Sequence, residues 1–148
     1  MTLKKSLRGF HVEEEVRSGT GTPAGKNGRS GSAAGMEENL KKALFEMLVL
    51  RLLSERDCPV SEITEAISVR SGGALNIVFP YALLYRLTGY GYIYESGKNI
   101  APDGRKRQYF RITDAGRQYL DELLCVYRRC IGGVERFLAP EEGERGEE

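Results

Sequence analysis

Between residues 37 and 138 the chain carries one hydrophobic pattern after another, each closed by residues that favour turns. Over 37–55 the apolar positions Leu40, Ala43, Leu44, Phe45, Met47, Leu48, Val49, Leu50, Leu52 and Leu53 wrap almost around a helical axis, with no Gly or Pro among them. Glu37 and Glu38 suit the positive end of the helix dipole. A helix that is apolar on all sides must be covered on more than one side. Asp57-Cys58-Pro59 then breaks the chain. Ser61 and Glu62 open a second helix whose face Ile63, Ala66, Ile67 has the 3.6-residue period and which stops at Ser71-Gly72-Gly73. Pro80 fits the first turn of a third helix, where Leu83, Leu84 and Leu87 form a core-facing row before Gly89 and Gly91 end it.

Two stretches of β propensity follow, Tyr92-Ile93-Tyr94-Glu95 and Gln108-Tyr109-Phe110-Arg111-Ile112, and Pro102-Asp103-Gly104 between them is turn chemistry. They predict a hairpin with a long basic tip. Thr113 can cap a last helix in which Leu120, Leu124, Tyr127, Ile131, Val134 and Leu138 are spaced 4, 3, 4, 3, 4, an unbroken heptad seam. Gly132 and Gly133 each cost about 1 kcal/mol against Ala, so a bend or an early end is expected there. The predicted fold is mainly α with a small β-hairpin (α+β), a winged helix-turn-helix followed by a C-terminal dimerisation helix.

Composition sets the boundaries. Residues 18–35 are rich in Gly and Ser and nearly empty of large apolar side chains, too little to offset the entropy of ordering. Residues 1–35 are therefore read as a disordered extension, dispensable for folding. Residues 36–112 form the winged helix-turn-helix, 113–139 the C-terminal helix, and 140–148 an acidic tail. The net charge of +1 hides a mildly basic body: residues 36–140 hold 15 Lys/Arg against 13 Asp/Glu, and residues 141–148 hold 1 against 5.

Three cysteines, Cys58, Cys125 and Cys130, lie at no zinc-ligand spacing, and the single histidine, His11, falls in the extension, so neither a metal nor another cofactor is expected. The thiols are read as free in a reducing cytosol. No apolar run reaches the length of a membrane span, which points to a cytoplasmic protein without a membrane partner. An enzyme is not expected, since no Ser/His/Asp, Cys/His or metal-binding arrangement is present.

A helix-turn-helix followed by a hairpin has a known electrostatic use: its second helix enters the DNA major groove while flanking cations hold phosphates. Lys98, Arg105, Lys106, Arg107 and Arg111 face only Asp103 between 98 and 111. Alone, such a loop is an ordinary solvated surface; at a hairpin tip beside a helix-turn-helix it reads as a phosphate clamp.

These residues also carry a resemblance. Tyr81-Ala82-Leu83-Leu84-Tyr85-Arg86-Leu87 followed by Gly91-Tyr92-Ile93, and the run from Gly104-Arg105-Lys106-Arg107 through Tyr109 and Ile112-Thr113 to Gly116, resemble the PadR-family third-helix and wing motifs. The resemblance spans about residues 37–138. It implies a prokaryotic homodimeric transcription factor, usually a repressor, bound to double-stranded operator DNA, with the first and last helices forming the dimer interface. One departure stands out: Val78-Phe79-Pro80 replaces the family's G-T-L, so a Thr contact to phosphate is missing.

The DNA-binding candidates are Asn76, Tyr81, Tyr85, Arg86, Lys98, Arg105, Lys106 and Arg107, and the dimer candidates Leu44, Leu48, Leu120, Leu124, Tyr127, Ile131 and Val134. Tyr81 is assigned to DNA over packing. Tyr85 and Arg86 either touch DNA or brace the wing, and Asn76 either reads adenine or shapes the turn. A small hydrophobic or aromatic effector at the dimer centre would have to stack on Tyr127, Phe137 or Phe45, since the chain has no Trp. The competing reading is a winged helix used for protein contact without DNA.

Overall fold

The structure, a computed structural model, describes residues 30–78 and 81–141. It falls into two compact units, one ending at Ala43 and one beginning at Leu44. In chain order the elements are α1 (Ala33–Glu55), β1 (Cys58–Pro59), α2 (Val60–Arg70), α3 (Tyr81–Gly89), β2 (Ile93–Ile100), β3 (Lys106–Ile112) and α4 (Asp114–Leu138). The fold class is the expected one, and α2, α3 and the hairpin follow one another as a winged helix-turn-helix requires.

In the first unit, α1 starts at Ala33, four residues before the expected Glu37. Ser32 accounts for the difference: its Oγ accepts the Gly35 N–H at 2.9 Å and satisfies a donor that the helix end would otherwise leave open. Residues 1–29 and 142–148, on which most of the expected extension and tail fall, lie outside the described residues, as do Phe79 and Pro80.

The second unit is built around a core of Phe45, Val49, Leu50 and Leu53 from α1, Ile63 and Ile67 from α2, Leu83, Leu84 and Leu87 from α3, Ile93, Phe110 and Ile112 from the sheet, and Leu120 from α4. Here the all-round apolar pattern of α1 finds its explanation within one chain. Phe45, Met47, Val49, Leu50, Leu52 and Leu53 are all buried, so the cover expected on more than one side of this helix is supplied at these positions by the domain itself. Leu44 and Leu48 are half-buried against the same core. Phe45 is thereby removed from the residues on which an effector could stack.

Asp57-Cys58-Pro59 is more than a break. Cys58 and Pro59 form a short strand opposite Phe110 and Tyr109, giving a three-stranded antiparallel sheet in the order β1-β3-β2. Proline fits because a two-residue strand at the sheet edge has little ladder to lose. The hairpin strands are also longer than expected, pairing from Ile93↔Ile112 out to Ile100↔Lys106 with a register shift between Glu95 and Gly97. The basic residues therefore sit mostly on paired strands and not in a long loop. α4 runs without interruption through Gly132 and Gly133 to Leu138, so the helix does not end early at the glycines. The cost of two glycines is small beside that of breaking a 25-residue hydrogen-bonded helix.

Candidate nucleic-acid interface

The turn before α3 is fixed by its own polar groups. Gly72 and Gly73 have φ of +69° and +86°. Their N–H groups bond to the carbonyls of Val69 and Ser68, a glycine-terminated helix end that a side chain at Gly72 would strain. Ser71 Oγ donates to the Ser68 carbonyl and accepts the Leu75 N–H. Ser68 Oγ donates to Asn76 Oδ1 at 2.6 Å. Asn76 can read adenine only with its amide oxygen and nitrogen together. The bond from Ser68 ties Asn76 to the end of α2 and gives it a turn-shaping contact, using one of the two lone pairs of its oxygen.

α3 buries Leu83, Leu84 and Leu87. With 100° between successive residues, Tyr81, Ala82, Tyr85 and Arg86 fall on the opposite face. Tyr81 is 69% exposed and Tyr85 83%, and Ala82 and Arg86 are exposed with them. At its far end Gly91, at φ +82°, closes the helix: its N–H bonds to the Thr88 carbonyl and the Tyr92 N–H to that of Leu87.

This closure delivers the chain to the wing root, where three elements are tied together. Thr113 donates its N–H to the Tyr92 carbonyl at 3.0 Å and its Oγ1–H to the Gly91 carbonyl at 2.7 Å. The same Oγ1 accepts the Gly116 N–H, capping α4 as expected. Gly116 has no room for a side chain: a Cβ would stand 2.2 Å from the Tyr92 oxygen and 2.7 Å from Ile112 Cγ1. Tyr92 also stacks on Tyr119, ring centroids 4.3 Å apart. Burial raises the Tyr119 phenol pKa above its ordinary value, helped by the neighbouring Glu46. Arg111 grips Asp57 with Nε and Nη2 at 2.8–3.1 Å, joining β3 to the segment before β1 across 54 residues. Its pKa is raised, chiefly by that bond.

The tip differs from the expected cluster. Gly104, at φ +84°, completes a turn closed by its N–H to the Ala101 carbonyl. Asp103 accepts the Arg105 N–H at 3.0 Å and pairs with the Arg107 guanidinium at 2.5 Å. That side-chain bond, followed by the backbone one, holds the Asp103 carboxyl below the usual carboxylate range. Arg107, counted from sequence among the cations of the clamp, is thus half-buried and tied. The Tyr81 and Tyr109 hydroxyls are close enough to contribute to its raised pKa, which Asp103 dominates. Strand alternation puts Lys98 and Lys106 on the face opposite Arg107. Lys98, Arg105 and Lys106 are exposed and make no ion pair among the described residues. The five cations counted from sequence therefore separate into two internal ties, Arg107 and Arg111, and three open charges.

The dimer candidates divide along α4. Leu120 is buried in the domain core, and Leu124 and Tyr127 are half-buried against it. Ile131 and Val134 are exposed, as are Phe137 and Leu138. Cys125 and Cys130 lie exposed on this helix; Cys58 is buried, which pushes its thiol up to about 11. Sequence reading missed Asp57, Ser68 and Gly116 as the groups that hold the surface in place. Asp103 was visible as the lone acid at the tip, but not the pairing that takes Arg107 out of the clamp.

The sequence profile of the PadR-like transcriptional regulator family matches residues 49–122. An uncharacterized protein of Lysinibacillus sphaericus is 37% identical over 96 residues, covering 64% of this chain and 87% of that protein. Two solved structures share the fold. A PadR-like transcriptional regulator from Bacillus cereus has a TM-score of 0.60 at 24% identity, covering 70% of this chain and 99% of that one. A transcriptional regulator from Clostridium thermocellum has 0.59 at 22%, covering 68% and 99%. Among the described residues no helix is long and apolar enough to cross a membrane. With half of its length matched by the profile and a relative 37% identical over 87% of that protein's length, the chain belongs to the PadR-like family of transcriptional regulators.

Proposed function

We propose that the protein binds operator DNA in the cytoplasm as a homodimer, α3 entering the major groove and the wing lying along phosphates, and that it represses by occupying the promoter. The observation that carries this reading is the outer face of α3. Tyr81, Ala82, Tyr85 and Arg86 stand exposed on it, and the adjoining wing holds Lys98, Arg105 and Lys106 without an ion pair among the described residues. A surface held rigidly beneath and left bare above suits recognition. The dimer is supported by the far half of α4, where Ile131, Val134, Phe137 and Leu138 form an apolar run that is exposed among the described residues. A second copy bearing the same heptad run is the self-complementary partner. A flat hydrophobic effector between the copies would meet Tyr127 and Phe137.

Titration of the full chain onto duplex DNA from its own promoter, at several salt concentrations, tests the reading. It expects saturable binding whose affinity falls linearly with log salt, by about 0.9 per phosphate contact. Absence of binding, with the fold intact, would hand the surface to a protein partner. Arg107 and Arg111 favour that second reading, because their internal pairing leaves the wing less cationic than its composition suggests.

A further inference from the structure

The open face of α3 differs chemically from a general DNA-reading surface. From Tyr81 to Gly89 the helix contains no Asn, Gln, Asp or Glu, so it lacks the side chains that pair with adenine through N6 and N7 or accept from cytosine N4. The first turn and a half, the part of a recognition helix that meets base edges, offers Tyr81, Ala82 and Tyr85 side by side. These are apolar surfaces tipped by two hydroxyls, followed by one guanidinium, Arg86. Asn76, in the turn before α3, has its oxygen bonded by Ser68. In the major groove the one apolar feature of a base pair is the C5-methyl of thymine, and the partner of a guanidinium is guanine O6 and N7.

Resting on the DNA-binding reading above, we propose that this protein selects its site chiefly by thymine methyl groups packed against Tyr81, Ala82 and Tyr85, with a guanine set by Arg86. Specificity then comes from shape and apolar contact, and phosphate affinity from the wing. Tyr85, the more exposed of the two tyrosines, bears the main methyl contact with the edge of its ring. Tyr81, the first residue of α3, seats the helix start.

Enrichment of the tightest duplexes from a random-sequence pool with the full chain gives a probe that presupposes no operator. The enriched duplex is then amplified once with thymidine and once with deoxyuridine, which pairs identically but lacks the methyl. The uracil duplex is expected to bind at least tenfold more weakly, about fourfold for each methyl group taken from the protein surface. Single thymine-to-uracil changes should place that weakening within each half-site. The double variant Tyr81→Ala, Tyr85→Ala should lose most of the difference between the two duplexes, keeping at most the share that Ala82 supplies. Tyr85→Phe, which keeps the ring, should retain the difference. Both tyrosines are exposed, so unchanged melting temperatures are expected to show that the variants still fold. Equal affinity of the parent chain for the two duplexes would overturn the proposal while leaving DNA binding standing. Failure to enrich any duplex would remove the DNA-binding reading itself.

Discussion

The root and the tip of the wing are built from similar residues in the same two strands, yet one end is fastened and the other is bare. At the root, Arg111 is gripped by Asp57, Thr113 makes four hydrogen bonds, and Gly116 lies against the Tyr92 carbonyl with no space between. At the tip, Lys98, Arg105 and Lys106 face solvent. The difference is what a recognition surface needs. Cations position a protein on DNA only if their backbone is already held, and they are available to phosphates only if no carboxylate has taken them. Arg107 sits between the two conditions, belonging to the tip by sequence and to the fastened part by its pair with Asp103.

If this division is right, changes at the root should cost stability in proportion to how tightly each group is enclosed. Gly116→Ala should have the largest effect, about 3 kcal/mol or more by the order of magnitude of overpacking, because the new carbon meets backbone and not the end of a flexible side chain. Chemical denaturation followed by circular dichroism checks it; a destabilisation under about 0.5 kcal/mol, the ordinary range for surface positions, would mean that the root is not rigid. Thr113→Ala should cost about 1–2 kcal/mol by the same measurement, since it removes a helix cap and a donor to Gly91. Asp57→Asn should cost less, within about 1 kcal/mol, because the pair with Arg111 is substantially exposed.

The smallest expected effect, Asp103→Asn, lies at the tip and runs the other way. Asp103 is ionised more readily folded than unfolded, so its tie to Arg107 is present at neutral pH and is lost only as pH falls through the lowered value. Removing the charge frees Arg107. Binding to random DNA at low salt should tighten slightly, with the salt slope steeper by up to about 0.9 for each extra phosphate contact. An unchanged slope would mean that Arg107 does not reach DNA even when released.

Much of this arrangement was legible because it depends on neighbours in sequence. The glycine at the end of α3, the Thr113 cap and the core rows of α2 and α3 are each decided within five residues, where period and local hydrogen bonding rule. What was not legible depends on partners far along the chain. Cys58-Pro59 reads as a break because its strand exists only through pairing with Tyr109 and Phe110. Arg111 reads as a clamp residue because Asp57 lies 54 positions away. The heptad seam of α4 was correctly periodic, but periodicity does not say what covers it. Leu120 is covered within its own domain, whereas Ile131 and Val134 are exposed among the described residues.

The most direct test of the fastened root and open tip is to reverse the three open charges together, with Lys98→Glu, Arg105→Glu and Lys106→Glu in the full chain, and to titrate promoter DNA across a salt series. The melting temperature should stay within the range of ordinary surface substitutions. Affinity should fall below detection at about 0.15 M salt, with the residual slope at low salt reduced by about 0.9 for each phosphate no longer held. Affinity and slope equal to those of the parent would show that the wing does not hold DNA.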